Sequence, residues 1–377
     1  MTPGEMLDRL RLARTEGVGP ITFRRLLRRF ASTAEAIEAL PRLTRAGGRK
    51  AGGAVPSRDA VEREMESLAR LGGRLLVLGG PDYPPLLALL EDAPIALSVL
   101  GAVDALQARA VALVGGRNAS ANGRRLAEIL ASDLALSGLV VVSGMARGID
   151  TAAHVGALRT GRTVAAVAGG VDVIYPPENA DLQRRVAEGG AVVAEAPLGT
   201  APRDRHFPRR NRVIAGLSLG VVVVEAAPNS GSLITARMAL EANRELFAAP
   251  GSPLDPRCLG SNDLIRQGAT LTESARDVLG GLPDFVAGLA EQPRPGRAAF
   301  GSEDELPGLD PTDDVGDVRA RVVELLSPSP TAVDDLVRRC QFSASAVMAA
   351  LLELELAQRV EMLPGNRACL IGEQLGK

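Results

Sequence analysis

The spacing of apolar positions changes period several times along the chain. From residue 74 to about 279, short runs that are apolar throughout alternate with amphipathic stretches. The runs at 74–78, 95–100, 110–114, 139–143, 163–168, 190–194, 219–224 and 245–248 have strand length. The stretches between them, such as 123–137, 149–160 and 233–242, place apolar residues at helical spacing. Strands apolar on both faces are covered on both faces, and parallel neighbours need a crossover helix between them. The pattern therefore predicts an α/β domain built on an extended Rossmann-like, doubly wound, mostly parallel sheet.

The two ends of the chain follow a different rhythm. Residues 4–40 show helical periodicity alone, through Leu7, Leu10, Leu12, Leu26, Leu27, Phe30, Ile37 and Leu40, and 59–71 predicts a further helix. Residues 41–58, rich in Gly and Arg, read as a mobile loop. Helical patterns at 318–326, 331–340 and 343–356 precede strand candidates 359–363 and 367–371, joined through Pro364-Gly365-Asn366. Three helices and a hairpin make a winged helix. The expected organisation is an N-terminal helical domain (1–73), of helix-hairpin-helix or SAM-like type, the Rossmann-like domain (74–290), a linker (291–314) and the winged helix (315–377).

Composition narrows the setting. The 377 residues contain no apolar run long enough to span a membrane, and the N-terminus lacks a basic stretch followed by an apolar one, so a soluble, unexported protein is expected. Cys258, Cys340 and Cys369 are far apart and follow no metal-binding spacing, which predicts neither a zinc site nor a disulfide framework and suits a reducing cytoplasm. The formal net charge of −2 hides local asymmetry. Residues 1–75 carry 15 Lys and Arg against 9 Asp and Glu, whereas residues 291–314 carry 2 against 7, a linker expected to stay mobile and to repel nucleic acid.

The candidate chemistry lies in the turns that follow the strands. After 110–114 come Gly115, Gly116, Arg117, Asn118 and Ser120; after 139–143, ending at Ser143, come Gly144, Arg147 and Gly148. Each turn offers free amides and a guanidinium at the start of a helix, which suits a phosphate. Asn229-Ser230-Gly231-Ser232 opens another helix in the same way. Residues 203–212, read as a loop, hold Arg203, Arg205, Arg209, Arg210 and Arg212 around Phe207, beside Asn211. Arginines interleaved with an aromatic ring suit unpaired nucleic acid, since cations hold phosphates and the ring stacks a base. A solvated loop whose arginines pair with Glu195 or Glu225 is the alternative. In the N-terminal region, Gly17-Val18-Gly19-Pro20 followed by Arg24, Arg25, Arg28 and Arg29 is open to two readings, a hairpin that meets a DNA backbone and one that only packs.

Taken together, YPPLL at 83–87, VGGRNAS at 114–120, SGMARGIDTAAH at 143–154, GGVDVIYPPEN at 169–179, FPRRNRVIAGLS at 207–218, VVVEAAPNSGSLITA at 222–236, AAPGS at 248–252 and GSNDLIRQGA at 260–269 resemble the DNA-processing protein A (Smf) family. The resemblance implies a protein that binds single-stranded DNA and loads a RecA-type recombinase onto it in natural transformation, dimerising through this domain. It implies that Arg117, Ser120, Ser143, Arg147, Phe207, Arg209, Asn211, Arg212 and Ser230 lie at or near the DNA. Where the family has a small hydroxyl residue, this chain has Gly116.

Neither a cofactor nor an enzyme is expected. His154 reads as a packed helix residue and His206 as a rim donor or bystander, while Glu195, Glu225 and Glu241 read as arginine partners rather than acids or bases. The winged helix's third helix, SASAVMAALLELEL, has two Glu and no Lys or Arg, which favours protein contact or regulation over groove reading. The rival readings are a nucleotide-handling enzyme of phosphoribohydrolase type, suggested by PNSGSLITARMALE, and an NAD-dependent oxidoreductase, whose G-x-G-x-x-G turn VGGRNAS does not supply.

Overall fold

The structure is a computed structural model that describes residues 1–48, 54–283 and 315–371; the predicted acidic linker lies outside the described residues. Two compact units divide the chain, one of Met1–Glu62 with the region from Glu291 onward, the other of Arg63–Ala290. The first opens with helices α1 (Pro3–Ala13), α2 (Pro20–Arg29) and α3 (Thr33–Ala46). Thr2 and Ser32 cap α1 and α3 with their hydroxyls, and Pro20 takes the first turn of α2, where its missing N–H costs nothing. Helix α3 runs through Pro41 to Ala46, so residues 41–46 are helical and not the expected loop. Buried Leu40, Leu43 and Thr44 hold the helix together against a proline penalty of about 3 kcal/mol. The chain enters the second unit within α4 (Arg58–Arg70).

The second unit is a nine-stranded sheet with helices on both faces. Its strands are β1 (Gly73–Val77), β2 (Ala96–Gly101), β3 (Ala110–Val114), β4 (Val140–Ser143), β5 (Thr163–Ala166), β6 (Ala191–Ala194), β7 (Gly220–Val223), β8 (Glu245–Ala248) and β9 (Thr270–Leu271). Their order is β1-β2-β6-β5-β4-β3-β7-β8-β9. Pairing is parallel from β6 through to β9, while β1–β2 and β2–β6 are antiparallel. The helices are α5 (Pro85–Ala88), α6 (Ala121–Leu136), α7 (Ile149–Ala157), α8 (Ala180–Gly189), α9 (His206–Leu217), α10 (Gly231–Glu241), α11 (Leu259–Arg266) and α12 (Ala275–Gly281). Successive residues of β3 alternate between two cores. Ala110, Ala112 and Val114 pack with Val213, Ile214 and Leu217 of α9, and Val111 and Leu113 pack with Leu130 and Leu134 of α6. Full burial of each such Val, Ile or Leu stabilises the fold by about 1.5–3 kcal/mol.

The C-terminal part of the first unit is the expected winged helix. Helices α13 (Val315–Leu325), α14 (Val333–Cys340) and α15 (Ala344–Leu356) pack beside a sheet of β10 (Thr331–Ala332), β11 (Val360–Leu363) and β12 (Arg367–Leu370) in the order β10-β12-β11. Within this first unit the N-terminal helices pack against the C-terminal ones. Ile21 of α2 shares one core with Val318, Leu336, Val347 and Leu351. Helix α15 is buried nearly all round because α3 closes its remaining face. A Cβ on Gly47, at the end of α3, would lie 1.9 Å from the Glu353 carbonyl oxygen, so only glycine admits this approach. Arg319 donates to the Ala46 carbonyl and pairs with Glu353 at 2.9 Å. The Gly17-Val18-Gly19 hairpin also packs, with Gly17 (φ +85°) against the Leu356 carbonyl and Gln358 Nε2 donating to Glu16 at 3.2 Å.

Candidate nucleic-acid interface

The parallel strands all end at one rim, and the chain reverses its direction of travel across the sheet between β3 and β7. Ligands meet such sheets at this switch point. Its floor is tightly built. Gly116 N–H donates to the Glu225 carbonyl at 2.7 Å, and the Glu225 carboxylate accepts from Ser120 N at 2.8 Å and Ser120 Oγ at 2.5 Å. Ser120 Oγ in turn accepts from Gly123 N, capping α6. Buried Glu225 is therefore a strut for the first turn, bonded to Ser120 rather than to an arginine of 203–212, and Ser120 is committed to the fold. Gly148 (φ +80°) brings the second turn against the first, since a Cβ there would sit 2.3 Å from the Gly116 carbonyl oxygen. Gly116 itself has room for a side chain, its Cβ position lying 3.7 Å from the nearest atom, so a small hydroxyl residue fits the same turn.

The arginines divide into two sets, which corrects the reading of 203–212 as one loop of solvent-facing cations. The segment enters α9 at His206, with Pro208 in its first turn, and the helix turns Arg210, Asn211 and Arg212 inward. Arg210 Nη1 donates to the carbonyls of Gly144 and, at 2.8 Å, Ala166, across the ends of β4 and β5. Burial lowers the Arg210 pKa, opposed by nearby Asp150; burial raises the Asp150 pKa, opposed by Arg210. The pair occupies space left by Gly144, whose Cβ would lie 1.9 Å from Arg210 Nη1. Arg212 pairs with Glu195 at 2.6 Å, as the alternative reading anticipated, and with Asp92. Asn211 Nδ2 reaches the Gly231 carbonyl at 3.5 Å. Ser143 is buried, its hydroxyl donating to the Leu113 carbonyl at 2.6 Å. These residues brace the rim from behind and present little surface to a ligand.

The second set is exposed. Arg117, Asn118, Arg147, Arg203, Arg205 and Arg209 face solvent. Arg117 lies over the Phe207 ring at 4.9 Å from its centroid, although the two leave different crossovers. Arg147 pairs with Glu178, in the loop after β5. Burial lowers the His206 pKa, and the neighbouring Arg205, Arg209 and Arg203 lower it further. Ser230 caps α10 and meets Ser232 at 2.7 Å, with Gly231 exposed at the helix start. Sequence reasoning puts Tyr175 in a loop of the rim without giving it a role; its ring stands 5.7 Å from that of Phe207 at 56°. The available signal was scarcity, since the chain has only two tyrosines and no tryptophan.

His154 is packed as expected, fully buried with Nδ1 2.7 Å from Thr163 Oγ1, and burial drives its pKa down to about 3. Among the described residues, no group of three or more His, Cys, Asp or Glu is placed to hold a metal ion. No helix there is long and apolar enough to cross a membrane.

Fold and rim together define a class, a Rossmann-like α/β protein with an anion-suited switch point, joined to helix-hairpin-helix and winged-helix elements. Three families match in succession: a DprA-like N-terminal HHH domain at residues 3–67, DNA recombination-mediator protein A at 74–283 and a DprA winged helix domain at 307–366. Protein Smf of Synechocystis sp. is 32% identical over 97% of this chain and 99% of its own length, and Protein Smf of Escherichia coli is 38% identical over 83% of each. The X-ray structure of DNA processing protein A from Streptococcus pneumoniae superposes with a TM-score of 0.57 at 38% identity, over 61% of this chain and 80% of that one. A Helicobacter pylori DNA processing protein A, whose structure describes a single-stranded DNA binding mode, gives 0.50 at 28% identity, over 55% and 94%. The chain belongs to the DNA processing protein A (Smf) family.

Proposed function

We propose that this protein binds single-stranded DNA along the rim and delivers it to a RecA-type recombinase, acting as a homodimer in the cytoplasm and without catalysis of its own. The observation that carries the DNA reading is the meeting of Arg117 with Phe207, beside the turn that bears Arg147. Three crossovers thus place cations and rings on one surface. The H. pylori relative supports the choice of an unpaired polynucleotide, and the family resemblance supports the recombinase and the dimer.

Exposed Arg209 is the cleanest probe because its neighbours Arg210 and Arg212 hold the fold. Arg209→Ala should weaken binding to oligo-dT and reduce the magnitude of the slope of log K against log salt by about 0.7 for each phosphate that is no longer neutralised. Fluorescence anisotropy over a salt series measures both, and an unchanged slope with unchanged affinity would take the rim out of the DNA path. Duplex of equal length should bind much more weakly, because its bases are stacked on one another. Nothing favours the phosphoribohydrolase reading. Glu241, which suggested it, ends α10 about 15 Å from that helix's N-terminus.

A further inference from the structure

We propose that Tyr175 is the ring on which an unpaired base stacks, and that Phe207 serves chiefly to seat Arg117 beside it. The inference rests on the single-strand reading above and adds a residue to it. Phe207 is already engaged, with the Arg117 guanidinium 4.9 Å and that of Arg210 5.9 Å from its centroid. Among the described residues no cation lies over Tyr175, which is 44% exposed and follows Ile174, 49% exposed. The chain's other tyrosine, Tyr83, is buried with its hydroxyl on the Pro94 carbonyl at 2.5 Å. In a protein whose aromatic content is 2%, an adjacent exposed Ile and Tyr beside a half-buried Phe form an apolar step in an otherwise cationic rim.

The step is held in advance of any ligand. Asn179 Nδ2 donates to the Met145 carbonyl at 2.8 Å and to Thr151 Oγ1 at 2.9 Å, tying the end of the loop to the turn of Arg147. Asp172 accepts from Gly199 N at 2.9 Å, and Gln183 Nε2 donates to the Val171 carbonyl at 3.2 Å, fixing its beginning. Residues 174 and 175 therefore project from a loop anchored at both ends, which limits the ordering that binding requires. Arg117, seated on Phe207, and Arg147, paired with Glu178 of the same loop, supply the cations that phosphates next to a stacked base would meet.

The absence of tryptophan makes the test direct, because tyrosine emission reports on Tyr175 once Tyr83 is removed. In full-length Tyr83→Phe, oligo-dT should quench the remaining tyrosine emission as a base stacks on the phenol. Tyr175→Ala should lose about 5- to 160-fold in oligo-dT affinity with an unchanged salt slope, and Tyr175→Phe should keep parental affinity. An abasic oligodeoxynucleotide of the same length should bind the parent and Tyr175→Ala equally. Parental affinity in Tyr175→Ala, or emission unmoved by saturating oligo-dT, would overturn the assignment. If Arg209→Ala still weakens binding in that case, the single-strand reading stands without Tyr175; if neither substitution has an effect, the rim itself is wrong.

Discussion

Glu355 lies where the N-terminal helices meet the winged helix, and its carboxyl group gives that junction a pH dependence of definite sign. Burial raises its pKa from 4.5 to about 7; Arg25 and Thr22 of α2 and the Met362 backbone pull it down, and Glu361 of β11 pushes it up. At about 1.4 kcal/mol per pH unit, that change corresponds to roughly 3 kcal/mol of preference for the neutral acid in the folded unit. The folded value is raised, so the contribution is fully present below pH 4.5. It declines as pH rises, because the unfolded chain then ionises while the folded one keeps its proton, and it is gone above pH 7. Glu355→Gln keeps the size of the group and removes its titration. The variant should therefore match the parent near pH 4.5 and exceed it at pH 8 by up to about 3 kcal/mol. The two compact units need not melt together, so the measurement should be local, by hydrogen exchange of amides in α2, α3 and α15 in the full chain at pH 5 and pH 8. Parallel protection profiles for parent and variant across that range would refute the reasoning.

Two further substitutions separate the supports of the rim from its working surface. Arg210→Ala removes the donations to the Gly144 and Ala166 carbonyls and a buried cation near Asp150, and should cost about 1–3 kcal/mol in urea unfolding followed by circular dichroism; a loss below about 0.5 kcal/mol would mean that other groups satisfy these carbonyls. Gly148→Ala should cost about 2 kcal/mol or more and lower oligo-dT affinity as the two turns separate, whereas Gly116→Ser, which has room for its side chain, should stay within about 0.5 kcal/mol of the parent. Equal melting temperatures for these two variants would contradict the packing of the turns.

The sheet was legible because its strands are buried on both faces and read as continuous apolar runs, as in residues 110–114 and 219–224. Strand β9 was not, being two exposed residues with no pattern to detect. Pro41 reads locally as a stop for helix α3, but its penalty is outweighed by packing that lies outside the local sequence. The rim was legible as a set of turns and illegible in its division of labour. Residue type alone does not say that Arg209 faces water while Arg210 and Arg212 are buried; that depends on the helix that begins at His206. Likewise Ser120 and Ser143 have the right chemistry for a phosphate and spend it on Glu225 and the Leu113 carbonyl. The third helix of the winged module, which carries no cations, packs on this chain's own N-terminal bundle, a contact between distant segments that no local pattern announces.

That closure has a consequence for biosynthesis. Ile21 is made some 300 residues before Val322 and Val347, yet all three belong to one core. Helices α1 to α3 must wait for α13 to α15 before their apolar faces are covered, while the large central sheet, complete in sequence between them, is free to fold in the interval. Removing either set of helices would then leave an apolar surface on the other.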